Sequence, residues 1–146
     1  MSDATSLGIT RTIDAPREEI WNAWTDPAIL ARWWWPERFE TTYAVDLRTG
    51  GGYRFVTTDV RHIGTLDLSG TFSVVEPPSH LSYSWSWASD GGQESHVTVD
   101  FAESFDGGTE IRVKHHGLKD AASRNNHVTG WNDCVDRLEM LISKSN

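Results

Sequence analysis

Cysteine is nearly absent from this 146-residue chain, where Cys134 stands alone. An internal disulfide is therefore excluded, and the expected compartment is the reducing cytoplasm. Long apolar runs are missing as well, none approaching the ~18 residues of a membrane-spanning helix. Residues 1–8 show no basic stretch followed by an apolar one, so no secretory leader is expected. Positive charge is scarce: 13 Lys and Arg stand against 21 Asp and Glu, a net charge of −8. A nucleic-acid partner or an anionic membrane surface would each need clustered basic residues, so neither is expected. The acidic balance serves solubility.

What the chain has in excess is tryptophan, eight in all. Each indole can bury about 150–250 Å². At about 25 cal/mol per Å² that is several kcal/mol apiece as an upper bound. A domain of this size does not need eight for stability alone, so the direction each one faces matters. With 38% apolar and 23% charged residues, the composition fits one soluble globular domain over 1–146 and excludes wholesale disorder.

Hydrophobic periodicity orders the chain. Ile9, Arg11 and Ile13 share one face of a short strand. Pro16, followed by Glu18 and Glu19, starts a helix with the stripe Ile20, Trp21 and Trp24. Asp26 and Pro27 stop it and open a second short helix, which Pro36 ends. Trp33, Trp34 and Trp35 cannot all face inward from one short helix, so at least one belongs at a pocket mouth, in an interface or on the surface. From Thr41 the period becomes two. Tyr43, Val45 and Leu47 lead into the turn Arg48–Gly52, and Tyr53 to Thr57 runs back as a hairpin. Asp59 to Gly64 reads as a polar connection. Leu66, Leu68, Phe72 and Val74 share a face, with Gly70 at a bend or bulge. Leu81, Tyr83, Trp85 and Trp87 point one way and Ser82, Ser84 and Ser86 the other. Val97, Val99 and Phe101, then Ile111, Val113 and His115, complete the inward sets. Val128, Trp131, Val135, Leu138 and Ile142 then mark a final amphipathic helix of about five turns. The expected fold is α+β: a curved antiparallel sheet of six to seven strands wrapped around a long C-terminal helix, with two short helices after the first strand. The space between helix and sheet of such a helix-grip is a natural ligand cavity.

The opening Ile9-Thr10-Arg11-Thr12-Ile13-Asp14-Ala15-Pro16 with Ile20-Trp21-Asn22-Ala23-Trp24-Thr25-Asp26-Pro27 resembles that of the START-like (SRPBCC, Bet v 1-like) superfamily. Within it the chain is similar to the activator of HSP-90 ATPase homologue-like (AHSA-type) proteins. Trp33-Trp34, Asp46 to Gly51, Gly70 to Pro78, and Gly130-Trp131 followed by Leu138 extend the match over about residues 9–143. The resemblance implies the helix-grip fold and a cavity for apolar small molecules, including lipids. It implies no single activity, because members include carriers, sensors, cyclases and proteins of unknown role.

The candidate cavity residues are Trp85, Trp87, His115, Trp131, Phe55, Tyr53, His127 and Trp34. The indoles would supply apolar and stacking walls. His115 falls inward by parity and has two open roles: a core histidine satisfied by a neighbour, or a polar anchor for a ligand. His127, one turn before Trp131, would sit near the mouth. No metal site is expected, because His115 and His116 point to opposite faces of a strand and Cys134 is alone. Cys134 and His127 share a helix face but lie about 10 Å apart by helix rise, too far for proton transfer. Gly50-Gly51-Gly52 is a hairpin turn rather than a phosphate loop, and no cofactor is expected.

The expected function is binding of a small apolar ligand, aromatic or lipid-like. Two alternatives stay open. One is an enzyme of cyclase or hydrolase type acting on an aromatic or polyketide-like substrate, with His115 as acid/base. The other is a protein-interaction module associated with a chaperone. The separate N-terminal domain of full-length eukaryotic activators has no counterpart in this chain, so the sequence itself does not support that partner. A homodimer through Trp33–Trp35 is the remaining expectation, on apolar area alone.

Overall fold

The computed structural model describes residues 5–36, 39–60, 64–91, 93–104 and 106–145. Strand β1 (Leu7–Ile13) leads into helices α1 (Arg17–Thr25) and α2 (Pro27–Leu30). Six strands follow: β2 (Thr41–Val45), β3 (Gly52–Val60), β4 (Gly64–Glu76), β5 (His80–Trp87), β6 (Glu94–Glu103) and β7 (Thr109–His116). The 25-residue helix α3 (Ala121–Ser145) closes the chain. The strands form one seven-stranded sheet in the order β1-β7-β6-β5-β4-β3-β2, every pair antiparallel. This is the helix-grip architecture. Arg61 to Ile63, within the expected polar connection, and Gly92, in the turn before β6, lie outside the described residues.

Local chemistry accounts for the element ends. Asp26 accepts from the Ala28 N–H (2.9 Å) and caps α2, whose first residue is Pro27. Asp120 accepts from the Ser123 N–H (2.8 Å) at the start of α3. Gly117, at φ +82°, makes the left-handed step from β7 toward that helix. Arg11, on the inward face of β1, reaches across to Asp136 (2.8 Å) and Glu139 (3.0 Å) of α3. These ties and the apolar stripe of Trp131, Val135, Leu138 and Ile142 hold α3 over the inward residues of the sheet.

Three details differ from the sequence reading. The pairing of β4 with β5 shifts by one residue between Phe72 and Val74. The bulge turns Val75, rather than Val74, toward the core. Gly70 is not the bulge; it is a close approach. A Cβ there would meet the Ser84 carbonyl at 1.9 Å and the Tyr53 ring at 2.6 Å, and the Tyr53 hydroxyl donates to that same carbonyl (2.6 Å). Helix α3 is also longer than expected, about seven turns, because its polar first turns carry no apolar stripe.

Candidate functional site

The interior is mostly indole and phenol. Trp24 stacks on Trp131 (6.1 Å, 17°) and meets Trp33, Trp34 and Phe101 at 5.2–6.3 Å. Trp33 and Trp34 are both buried although they are adjacent. They belong to the turn after α2 rather than to the helix, and Trp33 is pinned by donating to the Ala23 carbonyl (2.9 Å). Trp35 alone of the three keeps surface, and it stacks on Trp87 (6.1 Å, 18°).

These rings divide the space under α3 into two parts. Toward β2, β3 and the start of β5, Tyr53, Phe55, Phe72 and Tyr83 close around a void of about 20 Å³, room for one water at most. Toward the first half of α3 a cleft of about 770 Å³ opens. Its walls are Trp34, Trp35, Pro36 and Phe39 from the α2–β2 connection and Leu66, Trp85 and Trp87 from the sheet. Helix α3 contributes Asn126, His127, Gly130, Trp131, Asp133, Cys134 and Arg137. The volume falls in the range of small-molecule sites.

Of the eight expected residues, the structure brings Trp34, Trp85, Trp87, His127 and Trp131 together around this cleft. Tyr53 and Phe55 line the closed void instead. His115 lines neither and is fully buried. Its Nδ1 accepts from the Trp131 indole N–H (3.0 Å), so the ring proton sits on Nε2, which donates to Ser95 Oγ (2.7 Å). Burial pulls the His115 imidazole down to about 3, and His127, His116 and His96 push the same way. His115 is thus neutral with both nitrogens satisfied.

His127 has the opposite tautomer. Its Nδ1–H donates to the Ser123 carbonyl (2.7 Å), leaving Nε2 to accept from the Trp87 indole N–H (3.0 Å). The two imidazoles meet edge to face at 5.2 Å, one in the core and one on the cleft wall. Two indole N–H groups, those of Trp34 and Trp85, are buried without a partner. Cys134 is sealed. Its thiol donates to the Trp34 carbonyl (3.0 Å), and burial pushes it up to about 12 against the pull of Arg137. A thiol held neutral in this way is a packing group rather than a nucleophile.

A Ser–His–Asp order does occur, on the outer sheet face. His80 Nδ1 bonds Asp100, and His80 Nε2 lies 3.4 Å from Ser82 Oγ. Those residues sit on paired central strands whose backbone N–H groups serve the ladder, so among the described residues paired donors for an oxyanion are missing. Among the described residues no three His, Cys, Asp or Glu side chains converge as metal ligands. No helix among them is long and apolar enough to cross a membrane.

The sequence reading missed Arg137. It flanks the apolar stripe of α3, where a polar residue reads as solvated. It instead lines the cleft, with its fork turned to the Trp33 and Trp34 carbonyls. Its only sequence signal is the three-residue spacing from the inward Cys134.

A helix-grip with an open, tryptophan-walled cleft is thus the class that fold and site define. The chain belongs to the activator of Hsp90 ATPase homolog 1-like protein family, whose model matches residues 14–143. Among solved structures, a protein from Chromobacterium violaceum is similar at 23% identity, with TM-score 0.85, over 95% of this chain and 97% of that one. CalU16 from Micromonospora echinospora is 30% identical, with TM-score 0.71, over 94% of this chain and 76% of its own. An HSP90 activator from Plasmodium falciparum is 21% identical, with TM-score 0.76, over 95% and 96% of the two chains. No curated protein matches the chain in sequence.

Proposed function

We propose that the protein is a cytoplasmic binding module that takes one small, mainly apolar and planar molecule into the cleft between sheet and α3. The carrying observation is the 770 Å³ cleft walled by five indoles, beside an interior packed so tightly that it leaves about 20 Å³. Indole walls favour a flat partner through stacking and burial, with Trp35 and Trp87, the two of the five that keep surface, as the rings it would meet first. His115 supports such a site from behind, by holding the Trp131 indole in place.

Titration with phenylnaphthylamine, a neutral planar fluorophore, tests this reading. Saturable quenching of tryptophan emission at one equivalent is expected, weakened in Trp87→Ala. Absence of binding for this probe and for a panel of planar apolar compounds would overturn it.

A second reading draws on the family and on the relative from Plasmodium falciparum that is an HSP90 activator. It expects the chain to bind a purified chaperone of the HSP90 type at micromolar concentrations, with stimulation of its ATPase. Sedimentation of the mixture showing two separate species would retire it.

A further inference from the structure

We infer that the molecule held in the cleft carries an anionic group, a carboxylate or sulfonate, and that Arg137 receives it. The inference rests on the reading of the cleft as a site for a planar apolar ligand and adds the polar end of that ligand.

Among the described residues Arg137 is the one arginine on the cleft wall, and it is half-buried. Its Nε donates to the Trp33 carbonyl (2.9 Å) and its Nη2 to the Trp34 carbonyl (2.6 Å), with Cys134 Sγ at 3.4 Å. These two carbonyls end the turn after α2, so the fork is fixed in direction before any ligand arrives. Nη1 donates to no described protein group, and it is not among the polar atoms shut away from solvent.

No carboxylate of the described residues lies within ion-pair distance of this guanidinium. Arg17, Arg48, Arg54 and Arg112 each pair with one, and Arg11 with two. Asp133 stands four residues earlier on the same helix, at a spacing that often forms a pair. It is exposed at the rim and does not pair, because the fork is turned toward Trp33 and Trp34. Among the described residues, therefore, a preoriented cation stands without a counter-ion against an aromatic wall, in a chain that is otherwise acidic. Guanidinium with carboxylate or sulfonate is a charge-assisted match, and little side-chain freedom remains to be lost.

The net charge of −8 opposes an anion at long range. That repulsion is screened beyond about 8 Å at physiological salt, so the local contact decides.

Anilinonaphthalene sulfonate and its sulfonate-free parent, phenylnaphthylamine, share one ring system and isolate the anionic group. In the wild-type protein the sulfonate is expected to bind about tenfold tighter or more, with an advantage that shrinks as salt is raised. Arg137→Gln should abolish the advantage, weakening the sulfonate far more than the neutral probe, and Arg137→Lys should restore part of it. Equal affinity of the two probes in the wild type would overturn the inference and leave the cleft reading standing. So would equal weakening of both probes in Arg137→Gln, which would assign Arg137 to holding the Trp33–Trp34 turn alone. Should Arg137→Gln not fold, the wild-type ratio and its salt dependence decide by themselves. Failure of both probes to bind would overturn the cleft reading and this inference together.

Discussion

The two halves of the aromatic interior are built from the same kind of side chain and end in opposite states. Around Tyr53, Phe72, Tyr83 and Trp24 the rings fill the space, and about 20 Å³ remains. Around Trp35, Trp87 and His127 the rings touch one another along one wall but do not fill the space, and about 770 Å³ remains. The difference lies in what covers each half. The closed half is packed by α1 and α2, with Trp24 and Leu30 driven into it. The open half is covered by the first turns of α3, where Asn126, His127 and Gly130 offer little apolar bulk. One aromatic inventory thus supplies both a core and a site, and the supporting helix decides which is which.

That contrast can be broken most severely at Trp24. Trp24→Ala should cost about 3–5 kcal/mol, read as a fall in the urea midpoint, because its ring touches Trp33, Trp34, Phe101 and Trp131. Next is Gly70→Ala. Its methyl group would collide with the Ser84 carbonyl, so a loss of about 1–3 kcal/mol is expected in the same assay. A neutral result would show that Tyr53 and β5 yield more easily than the packing indicates.

The third prediction concerns pH. His115 is held near 3 in the folded state against 6.5 for the free group, so the unfolded chain binds the extra proton in between. Stability is therefore complete above about 6.5 and falls as pH drops toward 3, with a slope approaching about 1.4 kcal/mol per pH unit from this group. His115→Gln, which can still accept from Trp131 and donate to Ser95, should flatten that slope in unfolding curves at matched pH values. The smallest stability effect is expected at the mouth. Trp35→Ala should change stability by less than about 1 kcal/mol yet weaken phenylnaphthylamine several-fold, since it removes one stacked wall. Equal stability losses at Trp24 and Trp35 would erase the distinction between the halves.

Much of this was legible in the residues. Parity placed His115 inward because β7 runs without a register shift from Thr109 to His116. The same rule failed at Val74, where one extra residue in β4 moved the inward role to Val75. Alternation carries no mark of a bulge unless a glycine or proline announces it, and Gly70 was serving a different purpose. Trp85, Trp87 and Trp131 could be assigned inward directions. Whether their rings fill the space beside them or leave a cleft depends on volumes contributed by three separate elements, which no local pattern encodes. Arg137 was illegible for a related reason. A long polar side chain at the edge of a helical stripe can extend either way, and here two backbone carbonyls from a distant turn settled its direction.

The stacked pair Trp35–Trp87 at the mouth, linked through Trp85 and Trp34 to the Trp24–Trp131 pair inside, also has an optical consequence. Ring centroids 5.7–6.3 Å apart let excitation absorbed by one of these indoles migrate along the cluster before it is emitted. Migration runs toward the indoles of lowest energy, which are the most solvated, and those stand at the mouth. The emission of the protein is then a report from the cleft, and a molecule stacked on Trp35 darkens far more than the one ring it touches.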